Sequence, residues 1–353
     1  MLRYGLKKRA MVLAAVAVSV AISWAQTATP APQAGADNRA PMMMPPPAKT
    51  ALGQKAALLG SLAGKLAGIP DLEGTGPFPA SYEPAPGGLE YVIYQPKDLA
   101  AAEAKGKLGV YVWGSGGCSP DAASSRFHLT EIASHGYVVI VPGKILSGPK
   151  APPKPADASP RMPDPAGRAT AEKMVEGIDW ILAESKREGS PYFGSIDPAR
   201  IAVAGFSCGG LIALKAGMDP RVSAVLIESS GILQNVPPGA MANIPQMTSL
   251  KKEDLDRLHT PVIYILGGPE DIAEPNGLDD FNHLHKVPVF LGDQPGAGHG
   301  GLIAMPNSEG TKVELDWLDW QLNHDQIAAR TFVGPDCGLC RDFRWQVHRK
   351  GIR

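Results

Sequence analysis

The sequence predicts an α/β fold, a mostly parallel central sheet with helices on both faces. Three observations point there. Seven short runs read as strands, and most are continuously apolar, as strands buried on both faces of a parallel sheet are. Stretches with one apolar face at helical spacing lie between them. The two kinds of segment alternate, which is the sequence mark of βαβ units with right-handed crossovers.

The expected strands are LEYVIYQ (89–95), LGVYVWG (108–114), YVVIVPG (137–143), IAVAGF (201–206), VSAVLIES (222–229), PVIYILGG (261–268) and VPVFLG (287–292). Within AEKMVEGIDWILAESKREG, Met174, Ile178, Ile181 and Leu182 fall on one helical face. In VELDWLDWQLNH (313–324), Val313, Trp317, Trp320 and Leu322 make a broad apolar face, so this segment is expected as a late covering helix. Two stretches break the alternation, a Pro-rich one at 144–168 and another at 231–260. Both follow a predicted strand. Loops at the carboxyl ends of parallel strands surround the ligand crevice, so these two are the expected rim or lid.

With 353 residues there is room for one large or two small domains, and no internal repeat divides the chain. One domain from about Ala51 to the end is the simplest reading. A formal net charge of −1 offers no basic excess, so no nucleic acid is expected as a partner. At the N-terminus Arg3, Lys7, Lys8 and Arg9 precede an apolar run from Met11 to Ile22, and Ser23-Trp24-Ala25 supplies the small residues of a cleavage site. Residues 1–25 therefore read as an export signal. The apolar run falls well short of the roughly 20 residues of a spanning helix, so no lasting membrane anchor is expected. Removing these four basic residues moves the net charge from −1 to −5. Residues 26–50, Ala/Pro-rich and including PMMMPPP, cannot bury enough apolar surface to fold and read as a linker. Export makes disulfides the default for Cys118, Cys208, Cys337 and Cys340, which allow three pairings.

The stretch RIAVAGFSCGGLIALKAG (200–217) crowds glycines, a serine and a cysteine between a strand and a helix. Gly205-Phe206-Ser207-Cys208-Gly209 fits G-x-S-x-G, a turn that lifts a serine Oγ above the sheet. On this motif in this context, the chain resembles the α/β-hydrolase superfamily, and within it the dienelactone hydrolase, chlorophyllase and bacterial cutinase-like polyester hydrolase groups. The resemblance covers about residues 77–324 in element order and implies the α/β-hydrolase fold. It also implies a nucleophile, an acid and a histidine in that chain order. Ser207 stands at the nucleophile position, Asp271 in LGGPEDIAEP at the acid position and His299 in GAGHGG at the histidine position. Glu270 is the rival to Asp271. His283 and His285 have an H-x-H spacing that could suit a metal, but a solvated face accounts for them; His128 and His135 read as helix residues.

A serine hydroxyl is a weak nucleophile at neutral pH, so His299 would take its proton and Asp271 would fix the imidazole tautomer. VWGSGGCSP (112–120) corresponds to the loop where the superfamily finds one oxyanion-hole N–H, with Ser115 the first choice and Gly116 beside it. The second would be the N–H of Cys208. Trp113 and Phe206, adjoining these elements, are expected to flank the acyl group. The fold implied by the resemblance would bring Cys118 and Cys208 to one edge of the sheet, where a disulfide would pin the oxyanion loop. Cys337 and Cys340 form a C-x-x-C in an expected C-terminal tail, either a local disulfide clip or a redox pair. The resulting expectation is an exported serine esterase acting on a small-molecule or polymeric ester through an acyl-enzyme, without metal or other cofactor. A peptidase or amidase with the same triad, and a non-catalytic binding protein, are the alternatives.

Overall fold

The computed structural model describes residues 66, 68–153, 167–236, 239 and 241–352. The export signal, the linker and residues 154–166 of the first Pro-rich stretch lie outside them. A nine-stranded sheet organises the molecule: β1 (Ala80–Pro84), β2 (Tyr91–Pro96), β3 (Leu108–Gly114), β4 (Tyr137–Pro142), β5 (Ile196–Phe206), β6 (Ala224–Glu228), β7 (Val262–Leu266), β8 (Val289–Asp293) and β9 (Gln346–Lys350), in the spatial order β1-β2-β4-β3-β5-β6-β7-β8-β9. The six strands from β4 through β8 in that order are parallel to one another. At the two edges β1, β2 and β9 run antiparallel to their neighbours.

The seven apolar runs are seven of these strands. The other two, β1 and β9, lie at the edges. Their sequences, ASYEP and QVHRK, have no continuous apolar run because an edge strand pairs on one side only. In consequence the segment after the last long helix is not a free tail. It passes through Cys337 and Cys340 and returns to the sheet as β9.

The helices are α1 (Leu99–Glu103), α2 (Arg126–Ser134), α3 (Ala171–Glu184), α4 (Cys208–Ala216), α5 (Glu274–His283), α6 (Glu309–Asn323) and the short α7 (Gly338–Arg341). Because strand side chains alternate between faces, β3 and β5 each feed two cores. Val110, Val112 and Val203 join Met174, Ile178 and Ile181 of α3 and Leu211 and Ile212 of α4 on one face. Tyr111, Trp113, Ala202 and Ala204 meet Leu129 and Ile132 of α2 and Trp317 and Leu318 of α6 on the other. The helical spacing of Met174, Ile178 and Ile181 thus has its physical basis in burial against the sheet. The Thr170 hydroxyl opens that helix by accepting the Lys173 N–H at 3.2 Å.

From β3 the chain moves outward to β4, then returns to place β5 on the opposite side of β3. That reversal is a topological switch point, and the carboxyl ends of β3 and β5 flank the crevice it opens. The two interrupting stretches start after β4 and β6, on the same side of the sheet. Among the described residues no helix is long and apolar enough to cross a membrane.

Candidate active site

Strand β5 delivers Ser207 into the crevice with φ 54° and ψ −123°, a conformation a non-glycine residue adopts only when its surroundings impose it. Three hydrogen bonds do so. The Ser207 N–H donates to the Glu228 carbonyl at 3.0 Å, and the Ser207 carbonyl accepts from the Gly210 N–H at 2.9 Å and the Ser230 hydroxyl at 2.6 Å. The glycines of the motif follow from close backbone approach. A Cβ on Gly205 would lie 2.3 Å from the Gly209 carbonyl oxygen, and one on Gly209 would lie 1.8 Å from that of Gly114. The elbow and the end of β3 therefore interlock backbone to backbone.

Ser207 Oγ is 3.0 Å from His299 Nε2, and His299 Nδ1 is 2.7 Å from Asp271 Oδ1. The three side chains form one hydrogen-bonded chain. A proton on Nδ1 is the tautomer that satisfies Asp271 and leaves Nε2 to accept from the serine hydroxyl. The histidine loop is tied to its neighbours: the Gly298 N–H donates to the Gly267 carbonyl at 2.8 Å, and the Gly300 N–H donates to Ser229 Oγ at 3.2 Å. Glu270 accepts the Gly296 N–H at 3.0 Å, so it braces this loop while Asp271 meets the imidazole.

Asp271 is buried, and burial alone would push its carboxyl up. Hydrogen bonds from His299, the Ala273 N–H and Ser229 outweigh that and hold it below the ordinary aspartate value. Behind it, on the α6 side of the sheet, Glu228 has the opposite environment. Burial, then the charge and hydrogen bond of Glu314, and the charge of Asp271, push the Glu228 carboxyl well above its usual range. Glu314 in turn accepts from the Tyr111 hydroxyl, which also meets His128 Nε2 at 3.2 Å.

Cys208, as the first residue of α4, carries a backbone N–H with no acceptor inside the helix. Facing it, residues 115–118 form a tight turn with φ 65° at Gly117 and 49° at Cys118. The Ser115 hydroxyl donates to the Asp121 carbonyl at 3.3 Å, so only its backbone is available to the crevice. A Cβ on Gly116 would sit 2.6 Å from the Phe206 ring. Cys118 and Cys208 are joined as a disulfide that links this turn to α4. Cys337 and Cys340 pair locally, and Cys337 is buried in the core that also holds Phe332 and Trp345.

The two aromatics behave differently. Phe206 packs against Gly116 and lies 4.8 Å, ring to ring, from His299, so it supports the imidazole. Trp113 is fully buried, 4.8 Å from the His128 ring, and does not reach the crevice. Apolar lining comes instead from Leu211, Leu233, Met247 and Ile272, which surround a cleft of about 70 Å³ beside Ser207 and His299. Sequence reasoning did not pick out these four, nor Glu228 or Ser229. A charged residue closing the apolar run VSAVLIE was the available signal for Glu228. A larger cavity of about 370 Å³, near the end of β4, is lined by Glu90, Ser119, Lys144 and Lys173 and includes none of the three chained side chains.

No model of a known family matches the chain, and no curated protein matches it. The chemistry of the site accordingly rests on its own geometry.

Proposed function

We propose that the chain is an exported serine hydrolase of the α/β-hydrolase fold that cleaves carboxylic esters, small or polymeric, through an acyl-enzyme. The observation that carries this reading is His299 bridging Ser207 and Asp271 at 3.0 and 2.7 Å. It is supported by the strand-turn-helix setting of Ser207, by the chain order serine, aspartate, histidine, and by an all-parallel sheet centre with the site at its switch point. Two disulfides are compatible with an oxidising compartment.

In this reading Ser207 Oγ adds to the ester carbonyl carbon as Nε2 of His299 takes its proton, and Asp271 stabilises the imidazolium. The carbonyl electron pair moves to oxygen, where the Cys208 N–H and an N–H of the 115–116 backbone stabilise it, each worth roughly 10²–10³ in rate. Collapse expels the alcohol, which receives the proton from His299. Water, deprotonated by the same imidazole, then attacks the acyl-serine and releases the acid. The cleft formed by Leu211, Leu233, Met247 and Ile272 borders the nucleophile and is assigned to the acyl chain.

The test is hydrolysis of p-nitrophenyl esters from acetate to palmitate by wild type and Ser207→Ala. Turnover by wild type that falls on the order of 10⁶-fold in the variant is expected. Equal activity of the two proteins would discard the serine as nucleophile. A wild type that cleaves only anilides would move the reading to an amidase.

A further inference from the structure

The disulfide is not the only clamp on the turn facing Cys208. Both carbonyls at its left-handed residues are taken by one neighbouring segment. Arg168 Nη1 donates to the Gly117 carbonyl, and the Ala169 N–H donates to the Cys118 carbonyl at 3.0 Å. Arg168 is only 2 % exposed, and its Nε and Nη2 have no hydrogen-bond partner among the described residues. Its one hydrogen bond among them is thus to a neutral carbonyl. Arginine keeps its charge in proteins, and a buried charge without a counter-ion is destabilising. Among the described residues no carboxylate is hydrogen-bonded to Arg168, so the contacts they make give no stability reason for its burial.

We infer that Arg168 is a positioning residue for the oxyanion hole: its buried guanidinium fixes the Gly117–Cys118 peptide and sets a positive charge behind the turn that faces the nucleophile. This rests on the serine-hydrolase reading above. The peptide unit is planar, so holding the Gly117 and Cys118 carbonyls fixes two successive peptide planes at the end of the turn, and with them the 115–116 backbone that leads into it. The charge adds to a field that is already in place when negative charge develops on the substrate oxygen, which is where preorganised electrostatics lowers a barrier. Arg168 touches none of the reacting atoms and acts through the turn.

Arg168→Met removes both charge and hydrogen bond, whereas Arg168→Gln keeps a donor for the Gly117 carbonyl and removes only the charge. Each is assayed with p-nitrophenyl acetate, with inhibition by phenylboronic acid, which presents a tetrahedral oxyanion to the site, and with a thermal melt to establish folding. Expected for Arg168→Met is a fall in kcat of about 10- to 100-fold, a comparable loss of boronate affinity and a KM within about twofold of wild type. Arg168→Gln should fall between the two, and it carries the test if the methionine variant does not fold. A merely structural role would lower the melting temperature without separating boronate affinity from KM. A folded variant with kcat and boronate affinity within twofold of wild type overturns the inference. A wild type that neither hydrolyses the ester nor is labelled at Ser207 by a fluorophosphonate overturns the hydrolase reading itself, and the role of Arg168 with it.

Discussion

Removing the Cys118–Cys208 disulfide by the double change Cys118→Ala/Cys208→Ala should affect stability and catalysis separately. The two cysteines are 90 residues apart in sequence, and the chain-entropy relation for a loop of that order gives about 4.6 kcal/mol of stabilisation. Cys337 and Cys340 are 3 apart, and the same relation gives only about 2 kcal/mol. For a domain of this size, about 2–4 °C per kcal/mol converts the first figure to a drop in melting temperature of about 10 °C or more. Both sulfurs of the longer-range pair are buried, so reductant reaches them only when the elbow region opens. The double variant also frees the turn at residues 115–118 from α4, and kcat measured at 25 °C, well below the melt, should fall by about tenfold with KM little changed. Differential scanning calorimetry of wild type, this variant and Cys337→Ala/Cys340→Ala checks the stability figures, and steady-state hydrolysis checks the second effect. A melt within 2 °C of wild type would refute the loop-closure reasoning. An unchanged kcat would refute the idea that the disulfide holds the 115–118 turn in a geometry that catalysis needs.

Further outcomes follow from two carboxyls around the site. Asp271→Asn should lower kcat about 10⁴-fold, since an amide that donates to Nδ1 selects the wrong tautomer. The Asp271 carboxyl is held low in the folded state, so its contribution to stability is present above the unfolded aspartate value of about 3.9 and is lost as pH falls through the lower folded value; thermal melts from pH 6 to 2 should show an acid loss that is smaller in Asp271→Asn. Glu228 works in the opposite sense. Its folded value is raised, so its contribution is complete below about pH 4.3 and declines as pH rises toward the folded value. Glu228→Gln should therefore melt with a flatter dependence between pH 5 and 9, and an equally steep decline in the variant would show that Glu228 is not the group that titrates.

The centre of the fold was legible because its signals are local. A strand buried on both faces must be apolar throughout, which is why the seven inner runs stood out and ASYEP and QVHRK did not. The elbow was legible for the same reason: Gly205 and Gly209 are required by backbone approaches of 2.3 and 1.8 Å around one turn, so the whole requirement is written within five residues. Trp113 shows the limit of adjacency. It precedes the turn at residues 115–118 by two residues, yet strand alternation sends it into the α6-side core beside Tyr111, while the cleft is lined by residues from α4 and from the loops after β6 and β7. Arg168 was invisible because its role depends on which carbonyl it reaches from the end of a Pro-rich stretch, and nothing in that stretch encodes the partner.

The carboxyl end of β6 shows how little of a site a motif can contain. Glu228, Ser229 and Ser230 belong to no signature, yet together they hold all three members of the hydrogen-bonded chain. The Glu228 carbonyl takes the Ser207 N–H, and the Ser230 hydroxyl caps the Ser207 carbonyl. Ser229, itself at φ 42°, accepts the Gly300 N–H beside His299 and hydrogen-bonds Asp271. Glu228 and Asp271 also differ in their access to donors. Asp271 receives them from the Gly267 and Ala273 N–H groups as well as from His299 and stays ionised, whereas among the described residues the Glu228 oxygens meet no donor apart from the Glu314 carboxyl, whose charge pushes them toward the neutral acid. Two ionised carboxylates in this buried region would repel, and only one of them is supplied with donors. Of these two acids, the one that faces the imidazole is the one supplied with backbone donors.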